Sequence, residues 1–107
     1  FEKTHFSCLG ADGFTKHLTE LKKKQIILTG VEAHICIFQS AIELRQTGFD
    51  VYVVIDAIAS REFTSYESAL TRLKQAGIIL LNTESVLFEW LRDASHENFK
   101  TISKLIL

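Results

Sequence analysis

The stretch QIILTGVEAHICIFQSAIELRQTGFDVYVVIDA, residues 25–57, decides the fold because it reads as a strand, a helix and a second strand in succession. Residues 25–29 are apolar on both faces, and residues 34–46 carry apolar side chains at helical spacing until Gly48 supplies a C-terminal stop. Residues 51–56 form a nearly continuous β-branched run, which is typical of a central strand covered on both sides. A strand–helix–strand unit of this kind predicts a parallel sheet.

The alternation of short apolar runs with longer helical patterns continues on both sides of this unit. The further predicted elements are a helix at 14–23, a helix at 66–76, a strand at 78–81, a helix at 84–94 capped by Asn82 or Thr83, and an amphipathic segment at 97–107. Residues 1–3 are predicted to be the end of one more strand, running into a loop. The predicted fold class is therefore α/β, a three-layer α/β/α arrangement around a Rossmann-like parallel sheet.

The predicted strands are fewer than a complete open sheet usually has, because such sheets commonly run to about five or six strands. The chain also opens at Phe1 and contains no methionine. We therefore expect residues 1–107 to be the C-terminal part of a single domain whose N-terminal strands are not present in this sequence.

Composition and charge exclude several classes of partner. The chain is 47% hydrophobic and 23% charged, which is typical of one folded globular domain. The formal net charge of -1 gives no reason to expect a nucleic acid partner, and the lysines at 22–24 are interpreted as the solvated end of a helix. No apolar run approaches the roughly 20 residues that cross a bilayer, and no signal peptide opens the chain, so a cytoplasmic protein without a membrane partner is predicted.

A cysteine lies where the predicted sheet would bind ligands, outside the carboxyl end of a strand. Cys36 follows Gly30 by six residues, in or near a first helical turn, where free amides and the helix dipole favour a thiolate. Because free cysteine is often buried, Cys36 can also be interpreted as an apolar filler between Ile35 and Ile37. Cys8 has no comparable setting and is interpreted as a filler.

The tight turn that begins at Gly30 gives a second argument for chemistry. Its amides can point at one spot, and a nucleophile at the helix start shares that spot, which is the geometry that an oxyanion hole requires. Many such turns bind nothing, so this turn is weak evidence by itself. Asp56, at the end of the next predicted strand, leaves open a receiver-like domain that responds to phosphate, although such a domain does not explain the turn.

Three motifs occur in an order that resembles the isochorismatase-like cysteine hydrolases. They are EKTHFS at 2–7, IILTGVEAHICIFQSA at 26–41 and VIDAIASR at 54–61, and the resemblance runs along nearly the whole chain. This superfamily includes nicotinamidases and N-carbamoylsarcosine amidohydrolase, and its isochorismatase-domain branch is the part most similar to this sequence. The resemblance implies a parallel sheet of about six strands flanked by helices, and a catalytic triad of aspartate, lysine and cysteine.

The resemblance assigns roles to individual residues. It implies that Lys3 is the triad lysine and that Cys36 is the nucleophile. It also implies a cis peptide bond between Val31 and Glu32, with the N–H groups of Glu32 and Cys36 forming the oxyanion hole. His34 is the candidate for a substrate contact, because the family often has a polar residue lining the pocket at this position.

The implied reaction is thiolate attack on an amide or a related carbon–nitrogen or ester bond of a small molecule, followed by hydrolysis of a cysteine thioester. The family's aspartate, which acts as the base, has no counterpart here, since Asp12 and Asp56 are poorly placed. The 107 residues alone are therefore expected to be inactive. No cofactor is implied, and no metal site is predicted, because the upstream residues that bind a metal in nicotinamidases are absent.

An alternative from another class is a catalytically silent member that serves as an oligomeric scaffold or as a small-molecule binding protein. The C-terminal segment ISKLIL, 102–107, is so apolar that we expect it to dock on the body or on a neighbouring subunit, which favours a homo-oligomer. Trp90, Phe88 and Leu91 are predicted to pack in the core or between subunits. Arg61 is interpreted as an ion-pair partner that fixes a loop rather than as a substrate anchor.

Overall fold

The computed structural model describes residues 1–106, and strands alternate with helices along them. In chain order the elements are a short helical turn at Cys8–Gly10, α1 Phe14–Glu20, β1 Gln25–Val31, a π-helical turn at Ala33–Ile37, α2 Phe38–Thr47, β2 Asp50–Ala59, α3 Phe63–Gln75, β3 Ile79–Leu81, α4 Thr83–Leu91 and α5 Phe99–Ser103. Within these residues, every helix is too short or too polar to cross a membrane.

The strands form one parallel sheet in the order β1, β2, β3, which confirms the predicted α/β class. β1 and β2 pair regularly up to Leu28, which lies opposite Val53. The register then shifts, and Gly30 lies opposite Ile58. The extra residues of β2 at this irregularity include Asp56. In the described part of the chain, the outer edge of β1 pairs with no strand.

The differences from the predicted elements lie mainly at their ends. β2 extends to Ala59 because it pairs with β1 again beyond the irregularity, and α3 begins at Phe63 rather than at residue 66. The prediction that residues 1–3 end a strand is wrong, because no strand forms there. The Lys3 ammonium instead donates to loop carbonyls a few residues further on.

The core lies between one face of the sheet and the helices α2 and α3. Leu44 of α2, Leu73 of α3 and Val53 of β2 have no exposed surface. The buried cluster comprises Ala33, Ile37, Ala41, Leu44, Val51, Val53, Ile58, Ala69, Leu73 and Ile78. Because Ala33 and Ile37 belong to the π-helical turn, the connection that follows β1 is itself anchored in the core.

The helix α4 packs against β2, and its buried side chains are Val86 and Leu91. Leu91 thus lies in the core, which is one of the two settings predicted for it. Trp90 is 66% exposed, so it is not part of the core of this chain. The ring of Phe99 in α5 lies edge-on to the ring of Phe88, with the centroids 6.1 Å apart. Phe99 of α5 thus contacts α4. Leu105 is 73% exposed and Leu107 lies outside the described residues, so the docking of the segment 102–107 stays a prediction.

We predict that Leu44→Ala lowers the free energy of unfolding by about 2–5 kcal/mol, because it removes a fully buried side chain and leaves a cavity between α2 and the sheet. Urea denaturation followed by circular dichroism measures this change. Leu105→Ala is the matched control, since Leu105 is 73% exposed, and it should change the free energy by less than about 0.5 kcal/mol. Equal losses in the two variants would contradict the assigned core.

Candidate functional site

The end of β1 and the turn that follows it have an unusual backbone. Gly30 has a φ of 119°, in the left-handed region that favours glycine. The peptide bond between Val31 and Glu32 is cis. The chain then enters the π-helical turn, where the Glu32 carbonyl accepts hydrogen bonds from the N–H groups of Ile35 at 3.2 Å and Ile37 at 3.1 Å. The turn therefore reverses the chain over the carboxyl edge of the sheet.

The Glu32 amide is unused within this turn. Among residues 1–106, the Glu32 N–H donates no hydrogen bond, and its carbonyl bonds to the residues on either side of Cys36 rather than to the Cys36 N–H. A backbone donor that has no partner in the chain is available to a ligand or to water. The two amides named from the family resemblance thus lie at opposite ends of one short turn.

Cys36 lies in the π-helical turn and is half-buried. Cys8 is also half-buried, and it packs against the hydrophobic core, as expected for an apolar filler. Cys36 is not among the described side chains that pack against that core, although its neighbours Ile37 and Ala33 belong to it. The thiol of Cys36 is therefore less well explained as a space-filling group than the thiol of Cys8.

Polar side chains join this turn to the end of β2. The Glu32 Oε1 forms an ion pair with the Arg61 Nε at 3.0 Å, and the His34 Nδ1 lies 2.8 Å from the Ser60 hydroxyl. The His34 backbone N–H also points at that hydroxyl, at 3.4 Å. Arg61 is thus an ion-pair partner that fixes a loop, as its position in the sequence predicted.

The structure does not link Lys3 to the thiol by any hydrogen bond within the described residues. The Lys3 Nζ donates to the carbonyls of His5 at 2.9 Å and Phe6 at 3.0 Å, so the ammonium closes its own loop. This loop is tied to α2, because the Cys8 N–H donates to the Ser40 hydroxyl at 2.9 Å. The loop that carries Lys3 therefore lies against the helix that follows Cys36.

Several residues of the site were missed by sequence reasoning. The buried Ser7 donates to a Glu43 carboxylate oxygen at 2.7 Å and so fixes the N-terminal loop on α2. Ser60 holds the His34 ring. Only Ser60 had a usable signal, because it opens the polar loop after a predicted strand, and strand ends meet at one edge of a parallel sheet. Ser7 and Glu43 lie 36 residues apart, and no local pattern relates them.

Asp56 has a structural partner at the start of α4. Its Oδ1 accepts hydrogen bonds from the Thr83 N–H at 2.8 Å and from the Thr83 hydroxyl at 2.9 Å. Asn82 is the N-cap, since its side chain accepts from the Ser85 N–H at 2.8 Å. The bond from the Thr83 N–H is the main reason that the pKa of the Asp56 carboxyl is lowered from its usual 3.8. Asp56 therefore anchors a helix to β2.

The chain shares its sequence pattern with a known protein family, because residues 1–85 match the family described as Isochorismatase domain. The chain belongs to the isochorismatase family. The resemblance inferred from the motifs is thereby confirmed, and the matched range includes Asp56, so the receiver-like alternative is discarded. The secreted isochorismatase effector Isc1 of Phytophthora sojae is 38% identical over 108 residues, which cover 99% of this chain and 51% of that protein.

Solved structures agree with the isochorismatase family assignment. The MAR1 ribonuclease from Caenorhabditis elegans is 36% identical, with a TM-score of 0.86 over 99% of this chain and 54% of that one. The pyrazinamidase/nicotinamidase from Streptococcus mutans is 29% identical, with a TM-score of 0.70 over 74% of this chain and 44% of that one. The chain thus has an isochorismatase-like hydrolase fold and spans about half the length of the relatives it matches.

The side chains that usually bind metal ions do not form a cluster at this site within the described residues. Across residues 1–106, no group of three or more His, Cys, Asp or Glu side chains could hold a metal ion. His5 contacts Gly10 so closely that a Cβ on Gly10 would lie 2.3 Å from the His5 Cβ, and His34 is engaged by Ser60. Both histidines therefore have structural contacts of their own.

We predict that Asp56→Asn destabilises the fold at pH 7, because the charged carboxylate is the form that the Thr83 donors favour. A folded-state pKa below 3.8 means that this contribution is fully present above pH 3.8 and is lost as the pH falls through the folded value. The urea midpoints of wild type and variant should therefore differ at pH 7 and converge in acid. Asp12→Asn is the control, since Asp12 accepts no hydrogen bond in the described chain, and a difference that persists in acid would contradict the assignment.

Proposed function

We propose that this chain is the nucleophile-bearing part of a cysteine hydrolase that cleaves an amide or a related carbon–nitrogen or ester bond of a small molecule. The thiolate of Cys36 would attack the carbonyl carbon and form a carbon–sulfur bond. The amine or alcohol would leave with a proton, and water would then hydrolyse the thioester to the acid and the free thiol. The hydrolase family and its nicotinamidase members support this reaction class.

One observation carries the proposal. Cys36 lies in a turn that begins with an unpaired backbone donor, the Glu32 N–H, and its thiol is not packed into the adjacent core. An N–H donor in such a place stabilises the negative charge that develops on a carbonyl oxygen, and one donor is worth about 2.7–4 kcal/mol in the transition state. We assign the oxyanion hole to the amides of Glu32 and Cys36.

The remaining roles follow from the family resemblance and stay proposals. Lys3 would assist the thiol or the developing charge after its ammonium leaves the carbonyls of His5 and Phe6. The aspartate that acts as base is assigned to none of these 107 residues, so we expect little or no turnover from them alone. His34, 26% exposed at its side chain, is the proposed substrate contact. The mechanism needs no cofactor.

A small molecule is favoured over RNA as the substrate, although the Caenorhabditis elegans neighbour is called a ribonuclease. The net charge is -1, and the consecutive lysines at 22–24 precede β1, at the opposite edge of the sheet from Cys36. We also propose a cytoplasmic homo-oligomer that binds neither nucleic acid nor membranes. Because the relative Isc1 is secreted, family membership does not determine the cellular location of this chain.

The second candidate function is a silent scaffold or a small-molecule binding protein. The observation in its favour is the position of Lys3, whose ammonium is satisfied by two backbone carbonyls rather than by the thiol. In a silent member, Cys36 would have no special reactivity. The two candidates therefore differ in a property that can be measured without knowing the substrate.

We predict that iodoacetamide at pH 7 labels Cys36 about tenfold faster than Cys8, because the proposed nucleophile lies in a helical turn beside the core whereas Cys8 packs against the core. Peptide mass mapping over time gives the two rates in the same folded molecule. Cys8→Ala should leave the rate at Cys36 unchanged. Equal and slow labelling of both cysteines would favour the silent scaffold.

Turnover is tested with variants of the same two cysteines. We predict that Cys36→Ser abolishes any hydrolysis found in a screen of nicotinamide, carbamoyl amines, esters and RNA, because the serine hydroxyl is a far weaker nucleophile than the thiolate in this setting. Cys8→Ala is again the control and should retain the activity. Hydrolysis that survives Cys36→Ser would overturn the thioester mechanism, and cleavage of RNA alone would overturn the small-molecule assignment.

A further inference from the structure

The ends of β1 and β2 are cross-linked by charged and polar side chains at the edge of the sheet where Cys36 lies. The Arg61 Nε forms an ion pair with the Glu32 Oε1 at 3.0 Å, which ties the loop after β2 to the first residue after β1. The Ser60–His34 bond adds a second link, 2.8 Å long, across 26 residues of sequence. The turn that carries the thiol is therefore held from the outside as well as by the core beneath it.

The Glu32 carboxylate is unusual because one of its two oxygens is buried and accepts no hydrogen bond within the described residues. Its Oε2 is shielded from solvent and has no hydrogen-bond partner within residues 1–106. The His34 Nδ1 lies 3.6 Å from this oxygen, which is too long for a hydrogen bond and is an ion pair only if the ring is protonated. Buried carboxylate oxygens normally have partners, so the single bond to Arg61 carries most of the compensation for this charge.

Glu32 also supplies the backbone amide proposed for the oxyanion hole. Its N–H donates to nothing in the described chain, while its carbonyl is held by Ile35 and Ile37 and its carboxylate by Arg61. These contacts leave the peptide unit before Glu32 little freedom to rotate. Both the carboxylate that pairs with Arg61 and the unpaired N–H belong to Glu32. A change in the ion pair is therefore expected to change the direction of the N–H.

We propose that Arg61 is a positioning residue of the hydrolase, holding the Glu32 amide in its oxyanion-binding direction through the Glu32 carboxylate. This inference rests on the proposed function of Cys36. Arg61 itself, with 78% of its side chain exposed, acts through Glu32 and does not touch the reacting atoms. Loss of Arg61 removes compensation from the partly buried Glu32 carboxylate, so some loss of stability is expected beside the effect on the reaction.

Two reagents separate the role of the amide from the reactivity of the thiolate. p-Nitrophenyl acetate acylates Cys36: the carbon–sulfur bond forms, p-nitrophenolate leaves, and negative charge develops on the carbonyl oxygen, where a backbone donor helps. Iodoacetamide alkylates the same thiolate by displacing iodide at a saturated carbon, and no oxyanion forms. The ratio of the two rates at Cys36 therefore measures the oxyanion hole.

The experiment measures both rates at Cys36 at one pH in the wild type, Arg61→Ala, Glu32→Gln, the double variant and the control Lys74→Ala. Lys74 is an exposed cation at the end of α3, so its loss removes the same charge without touching Glu32. We expect Arg61→Ala to lower the acylation rate about tenfold and to leave alkylation within about twofold. Arg61→Lys should restore part of the loss, Lys74→Ala should change neither rate, and Arg61→Ala should add little once Glu32 is already Gln.

The outcomes distinguish the two proposals. If the wild-type Cys36 is not acylated, the proposed function fails and the role of Arg61 fails with it. If Cys36 is acylated and Arg61→Ala leaves the ratio of rates unchanged, only the positioning role is overturned. Parallel losses of acylation and alkylation also overturn it, because they indicate general damage to the turn. Should Arg61→Ala fail to fold, Arg61→Gln and the Glu32→Gln variant carry the same comparison.

Discussion

The burial of one face of the sheet beneath α2 and α3 is the constraint on which the rest of the structure depends. Leu44 and Leu73 are completely excluded from solvent there, and each must come from a helix that crosses back over the parallel strands. The chain after Val31 therefore has to reverse within a few residues. That reversal draws Ala33 and Ile37 into the core and leaves Cys36 between them, beside the core rather than in it.

The polar contacts follow from the same geometry. Parallel strands end at one edge, so the side chains that follow β1 meet those that follow β2, and Glu32 faces Arg61. Asp56 similarly meets Thr83, at the start of α4. These contacts connect neighbouring elements at the edge of the sheet where folds of this kind bind ligands. A rigid turn is what preorganised electrostatic stabilisation requires, since a donor that must reorient loses much of its benefit.

Much of this arrangement could be predicted from the chain's own pattern. The three strands, the helices between them and a cap at Asn82 or Thr83 followed from periodicity and capping chemistry, and the structure has Asn82 as the cap. The boundaries of the elements were less predictable. β2 continues to Ala59 because it pairs there with β1, and the local sequence pattern does not indicate this pairing. The core setting, one of the two alternatives predicted for Trp90, does not occur in this chain, because an apolar side chain in a helix does not reveal which face of the helix is covered. Its packing between subunits stays a prediction.

The sequence by itself determined the class of fold, the family and the position of a cysteine at the carboxyl end of a strand, because these depend on local periodicity and on motifs read along the chain. Only the tertiary structure decided which polar groups meet. It paired Glu32 with Arg61 and His34 with Ser60. The physical reason is that hydrogen bonds and ion pairs depend on distances of about 3 Å between atoms far apart in the chain, which no local pattern specifies.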